Sequence, residues 1–156
     1  TLYFRYRLKV PPFRKALETH LQRGLWCRVH YHYIGDGLSS SEANFRAALD
    51  IAKQHQDKLW IAGMADIYKY QTERNASKLT VVKADEGSLT FHLAVSTDAT
   101  LYDQPLTLEI KPPASWNAQQ VVILDPQGTR IPSDTDGALR FVVPPHSSTF
   151  AVRASP

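Results

Sequence analysis

A change of hydrophobic pattern near Lys78 limits the possible folds of this chain more than any other property. Before this point, apolar residues recur at helical spacing in three segments, and two short apolar runs separate them. After it, short alternating runs follow one another between Pro, Gly and Asp residues, without a helical period. We therefore predict two domains, residues 1–77 and residues 78–156.

The first predicted domain alternates helices with strands. A helix is indicated between Pro12 and Gly24, and a second helix begins where Ser39 and Glu42 have capping-box spacing. The runs LWCRVHYHY and LWIAG have the length and composition of buried strands, and they cover residues 25–33 and 59–63. A third helical segment follows the second run.

This order of elements is typical of parallel strands joined by crossover helices, as in a doubly wound sheet or a (β/α) barrel. Two strands close neither architecture, so we expect the remaining strands upstream of Thr1. Thr1 also stands where a starting Met would be expected. The fold class predicted for residues 1–77 is thus α/β, the C-terminal fragment of a (β/α) barrel.

The second predicted domain is all-β. The segment KLTVVKADEGSLTFHLAVST contains two alternating runs around an Asp-Glu-Gly turn, and three further segments of the same kind follow. Regularly spaced short strands with turn residues between them are typical of an antiparallel β-sandwich. We expect this fold for residues 78–156.

Composition excludes several classes of function. The net charge is +3, and the basic residues are interspersed with acidic ones, so the sequence has no electrostatic footprint for nucleic acid. Its apolar runs fall short of the ~20 residues that span a bilayer, so we expect no membrane insertion. Cys27 is the single cysteine, which excludes an internal disulfide and a multi-cysteine metal site.

The candidate site lies in the stretch RVHYHYIGDG, residues 28–37. Side chains alternate along a strand, so Arg28, His30 and His32 share one face. Active sites of parallel α/β folds gather at the carboxyl ends of the strands, and His32 lies at such an end. Asp36 could orient a substrate or His32, although Gly-Asp-Gly is also a common turn composition.

Each of these side chains has a structural interpretation as well as a functional one. His32 could simply bond a neighbouring loop, His30 could support it, and Arg28 could be buried and paired. The two imidazoles could also bind a divalent metal together. Trp60 is large enough to form a sugar platform, but its apolar neighbours favour core packing.

Residues 1 to about 77, and above all the run that begins GLWCRVHYHYIGDG at Gly24, resemble the last segment of a polysaccharide deacetylase catalytic domain. In that family, a late barrel strand ends in a histidine, followed by a loop, a helix, a short Trp-containing strand and a last helix with a Tyr and an Arg. The matching features here are His32, the loop Ile34 to Gly37, Trp60, Tyr70 and Arg74. Some members carry a C-terminal β-domain, and residues 78–156 are similar to one.

The resemblance implies a metal-dependent hydrolase that removes N- or O-acetyl groups from a carbohydrate substrate outside the cytoplasm, extracellularly or in the periplasm. His32 matches the family's general acid, which protonates the leaving group, while His30, Asp36 and Arg28 would bind substrate or support it. A divalent metal, expected to be zinc, would polarise the carbonyl. Its ligands and the catalytic base belong to earlier strands, so the chain is expected to be incomplete by itself.

Two alternatives remain open from the sequence. The chain could be a non-catalytic carbohydrate-binding or spacer module in which the sandwich carries the function. It could also be a fragment of an amidohydrolase-like or glycosidase barrel with an appended sandwich.

Overall fold

The computed structural model describes residues 10–35, 40–117, 120–135 and 138–154. The chain forms two compact units, Thr1–Ala62 and Gly63–Pro156. A domain boundary after residue 77 stays a prediction. We describe each unit by itself.

The described part of the first unit contains two helices, α1 (Val10–Arg23) and α2 (Glu42–Lys53). Their apolar faces share a small core, which buries Phe13, Leu17, Ala48, Ile51 and Ala52. The first helix confirms the prediction from Phe13, Ala16, Leu17 and Leu21. It ends in a Schellman turn, because Gly24 adopts φ 60° and the Leu25 N–H donates to the His20 carbonyl at 2.9 Å.

Helix α2 begins two residues later than the capping box predicted. Its N-cap is Ser41, whose hydroxyl accepts a hydrogen bond from the Asn44 N–H at 3.2 Å. The predicted cap, Ser39, lies outside the described residues. Several serines precede this helix, and the choice among them depends on where the preceding loop brings the backbone, which local spacing does not specify.

The prediction of strands at residues 25–33 and 59–63 is wrong. Residues 25–33 and 59–63 belong to no β-ladder, and the described part of the unit has only one isolated parallel bridge, between Ile34 and Ser40. Their aromatic and β-branched composition favours extended, partly buried backbone, but a strand also needs a hydrogen-bonded neighbour far away in sequence. The described residues therefore show no (β/α) barrel.

The second unit begins with α3 (Met64–Asn75), as the helical spacing predicted, and continues as antiparallel sheet. Its strands are β1 (Ser77–Asp85), β2 (Ser88–Val95), β3 (Leu106–Ile110), β4 (Val121–Leu124), β5 (Arg130–Ile131), β6 (Asp134–Thr135), β7 (Leu139–Val143) and β8 (Ser148–Ala154). One sheet has the order β1-β2-β8-β4-β5 and the other β3-β7-β6.

The two sheets of the second unit enclose one hydrophobic core. Alternate residues of the larger sheet meet alternate residues of the smaller one, and three phenylalanine rings, Phe91, Phe141 and Phe150, lie at the centre. Ring centroids of Phe91 and Phe150 are 5.5 Å apart. This arrangement agrees with the predicted sandwich, and it leaves the other face of the larger sheet uncovered by the smaller one.

The β1–β2 hairpin shows how local signals set the register. Gly87 adopts φ 78° in the two-residue turn between Asp85 and Ser88. The register then places Phe91 opposite Phe150 and Thr90 opposite Ala151. Because strand side chains alternate, Phe91 points into the core and Thr90 to the outer face of the larger sheet.

Candidate functional site

The histidine-containing segment is held in place by its alternate residues. Val29 and Tyr31 pack against the helical core, and the Tyr31 ring meets the edge of Phe45 with centroids 5.1 Å apart. His30 and His32 are exposed, and their ring centroids are 5.0 Å apart. Burial thus alternates over residues 29–32 although the segment is not a strand, whereas Tyr33, which was expected on the same face as Tyr31, is 56% exposed.

The structure brings together only part of the predicted site. His30 and His32 are neighbours, and the Arg28 side chain is half-buried on the same segment. Asp36 lies outside the described residues. Just before it, the Gly35 N–H donates to the Ser40 carbonyl at 2.8 Å, which closes the base of the loop. The catalytic role of His32 and the supporting roles of the other three residues stay predictions.

The described residues do not contain a full set of ligands for the metal that the resemblance implies. Within residues 10–35, 40–117, 120–135 and 138–154, no three His, Cys, Asp or Glu side chains are grouped so that they could hold a metal ion. Cys27 is a poor thiolate ligand, because burial raises the pKa of its thiol.

Trp60 is exposed to 51%, so its interpretation as a core residue is wrong. It lies in the irregular run before α3, where neighbouring Ile61 is exposed to 66%. The apolar composition of this run predicted burial, but the helical core is small and does not cover it. An exposed indole of this kind can stack on a sugar ring.

An open groove of about 340 Å³ lies on the outer face of the larger sheet. It is lined by Thr90, Leu124, Asp125, Pro126, Gly128, Thr149, Phe150, Ala151 and Arg153. These residues come from β2, β8, the end of β4 and the β4–β5 turn, which the sheet order makes neighbours. The first unit has a second open groove, of about 440 Å³, along α1.

The polar groups of the sheet groove are held by the sheet and its turn. Asp125 Oδ1 accepts hydrogen bonds from the Thr129 N–H at 2.7 Å and the Gln127 N–H at 2.9 Å, which fixes the turn. Thr149 Oγ1 lies 3.1 Å from His92 Nδ1 on the adjacent strand. Arg153 is exposed at the other end of the groove. Hydroxyl, carboxylate and guanidinium groups thus line one concave surface.

Sequence reasoning did not identify this groove. The alternation along β2 and β8 does indicate that Thr90, Thr149 and Arg153 face away from the core. That these strands are neighbours, 57 residues apart at His92 and Thr149, is a property of the sheet order.

A buried carboxylate ties α3 to the loop before β3. Glu73 is fully buried, and both of its carboxylate oxygens lie 3.2 Å from the backbone N–H of Gln104, which donates to them. Burial raises the pKa of Glu73, and the Gln104 N–H opposes this shift. Next to it, the Lys69 ammonium bonds Asp103 at 2.8 Å and lowers the pKa of that carboxyl.

Comparison with known proteins gives one informative similarity. The chain is 26% identical over 116 residues to a gellan lyase from a Bacillus species. The match covers 69% of this chain and 5% of the lyase. It is longer than either compact unit, so it includes residues of both.

No family model matches the chain, and no solved structure matches it. The similarity to the lyase gives no support to the resemblance to a deacetylase. Among the described helices, none is long and apolar enough to cross a membrane.

Proposed function

We propose that this chain is a carbohydrate-binding module of a polysaccharide-acting protein, and that the groove on the larger sheet holds the sugar. The observation that carries the proposal is the similarity to a gellan lyase. The matched region includes parts of both units of this chain and accounts for 5% of the lyase. A segment that accounts for so small a share of an enzyme is better suited to an accessory role than to the whole reaction. The proposed partner is a polysaccharide, met extracellularly or in the periplasm.

The groove has the chemistry that sugar recognition needs. Sugar hydroxyls both donate and accept hydrogen bonds, and Thr90 and Thr149 hydroxyls can do the same. The Arg153 guanidinium offers several donors in a fixed plane. The two threonines lie on β2 and β8, which pair, so their backbone is already ordered before a sugar binds. Sugar binding at this site therefore costs little conformational entropy.

Binding of the full chain to polysaccharides tests the proposal. Affinity electrophoresis against gellan, with dextran as a second polymer, measures retardation, and titration calorimetry with soluble fragments gives the dissociation constant. We expect retardation by gellan, and we expect Arg153→Gln to weaken binding by at least about tenfold, since one charge-assisted hydrogen bond contributes about 1.5–3 kcal/mol and about 1.4 kcal/mol is a factor of ten.

Two further variants show whether the sugar binds in the groove or elsewhere on the chain. Arg74→Gln makes the same charge change at an exposed position of α3 and should leave binding unchanged. If Trp60→Ala abolishes binding and Arg153→Gln does not, the sugar site lies in the first unit and the groove assignment is wrong. A chain that stays folded and binds neither polymer contradicts the module itself.

A second candidate is the deacetylase fragment, with His32 as the general acid. The observation that favours it is the exposure of the His32 imidazole, because a proton donor must reach its substrate. In this proposal, His30, Arg28 and Asp36 support the acid or contact substrate, and a divalent metal and its ligands come from a barrel upstream. Acetyl release by a His32→Ala variant of the natural protein tests it.

A further inference from the structure

His30 and His32 form a pair of imidazoles on a backbone that is fixed on both sides. Val29 and Tyr31 anchor the segment to the helical core, and the hydrogen bond from Gly35 to Ser40 closes the loop that follows. Ser40 itself is 1% exposed. With Val29 and Tyr31 anchored inward, the two exposed histidines project outward together, and little rearrangement is needed for both to reach one ligand.

The spacing of the two rings matches a shared metal ion. Histidine nitrogen binds zinc at about 2.0–2.1 Å, so two rings on one ion at angles of 90–110° have centroids roughly 4.5–5.3 Å apart. The observed separation is 5.0 Å, with the rings inclined by 65°. We propose that His30 and His32 together bind a divalent transition-metal ion, with water in the remaining coordination positions.

The ligand type indicates which ions the pair prefers. Imidazole suits Cu²⁺, Ni²⁺ and Zn²⁺, and affinities for a given site follow the order in which Cu²⁺ is strongest. Two protein ligands are fewer than a structural zinc site has, so we expect exchangeable binding rather than a permanently held ion. This site is independent of the sugar groove. It bears on the deacetylase candidate, because a ring nitrogen that binds metal cannot donate a proton.

Calorimetric titration of the full chain with CuCl₂ and with ZnCl₂ tests the proposal. We expect one site of higher affinity per chain, tighter for copper, and at least a tenfold loss of affinity in His30→Ala and in His32→Ala. The matched control is His146→Ala, which removes an exposed imidazole from the turn between β7 and β8 and should leave this site unchanged. Circular dichroism of each variant checks that the helices are kept.

Electron paramagnetic resonance of the copper complex provides a second measurement. Nitrogen hyperfine structure should indicate two imidazoles in the natural chain and one in either single variant. Should an alanine variant lose helicity, His30→Gln and His32→Gln replace it, because glutamine keeps a polar side chain at the exposed position. Equal copper affinity in the natural chain and in both folded single variants overturns the site, as does an equal loss in His146→Ala.

Discussion

Replacing Glu73 tests whether a buried carboxylate holds α3 against the sandwich. Glu73→Ala removes the acceptor of the Gln104 N–H and one buried methylene. An unsatisfied donor costs about 1–3 kcal/mol, and the methylene contributes about 0.8 kcal/mol. Removing the desolvated charge offsets part of this loss. We therefore expect the free energy of unfolding of the second unit to fall by roughly 1–3 kcal/mol.

Glu73→Gln separates the hydrogen bond from the charge. The glutamine carbonyl can still accept from Gln104, while the cost of burying a charge disappears. At neutral pH this variant should be as stable as the natural chain or more stable. Since the amide does not titrate, the difference between the two proteins should depend on pH.

The direction of that dependence follows from the raised pKa of Glu73. A carboxyl that holds its proton more tightly in the folded state contributes stability that is fully present below its unfolded pKa, about 4.3. This contribution is lost as the pH rises through the folded pKa. The natural chain should thus lose stability relative to Glu73→Gln across that interval.

Hydrogen exchange of the core amides in β2 and β8 measures unfolding of the second unit alone. Protection factors measured between pH 4 and 8, under conditions where reclosing is much faster than chemical exchange, give the free energy of unfolding for both variants and the natural chain. If Glu73→Gln is destabilised as much as Glu73→Ala, or if its pH profile parallels that of the natural chain, the carboxylate does not act as described.

Two further changes test the β4–β5 turn and the histidine segment. Asp125→Ala removes the acceptor of two turn N–H groups, so we expect a loss of about 1–2 kcal/mol in urea unfolding of the second unit and weaker polysaccharide binding. A stability change below 0.5 kcal/mol would contradict that role. His32→Ala in the natural protein should reduce acetyl release by about 100-fold if His32 is a general acid, and unchanged turnover removes it from the mechanism.

Much of the secondary structure could be predicted because its signals are local. Gly24 ends α1, and the Asp-Glu-Gly turn separates β1 from β2 as expected. The strand β6 was not predicted, because a strand of two residues has no periodicity. The predicted strands at 25–33 and 59–63 failed for the opposite reason, since their composition was suitable but no ladder partner joins them in the described chain.

The candidate site divides in the same way. Alternation correctly placed His30 and His32 on one side, because it requires only extended backbone and an anchored neighbour such as Tyr31. Trp60 was misjudged, since burial depends on what the rest of the unit can cover. The sheet groove was missed because Thr90 and Asp125 become neighbours only through β8.

The amino-acid sequence alone determined where helices and turns occur and which side chains alternate, because these depend on residues within one or two turns of chain. Tertiary structure decided which strands pair, which apolar residues are covered and which polar groups share a surface. The physical reason is that strand pairing and burial depend on distant segments. β8 lies between β2 and β4, and that placement makes a groove out of residues that are far apart in the chain.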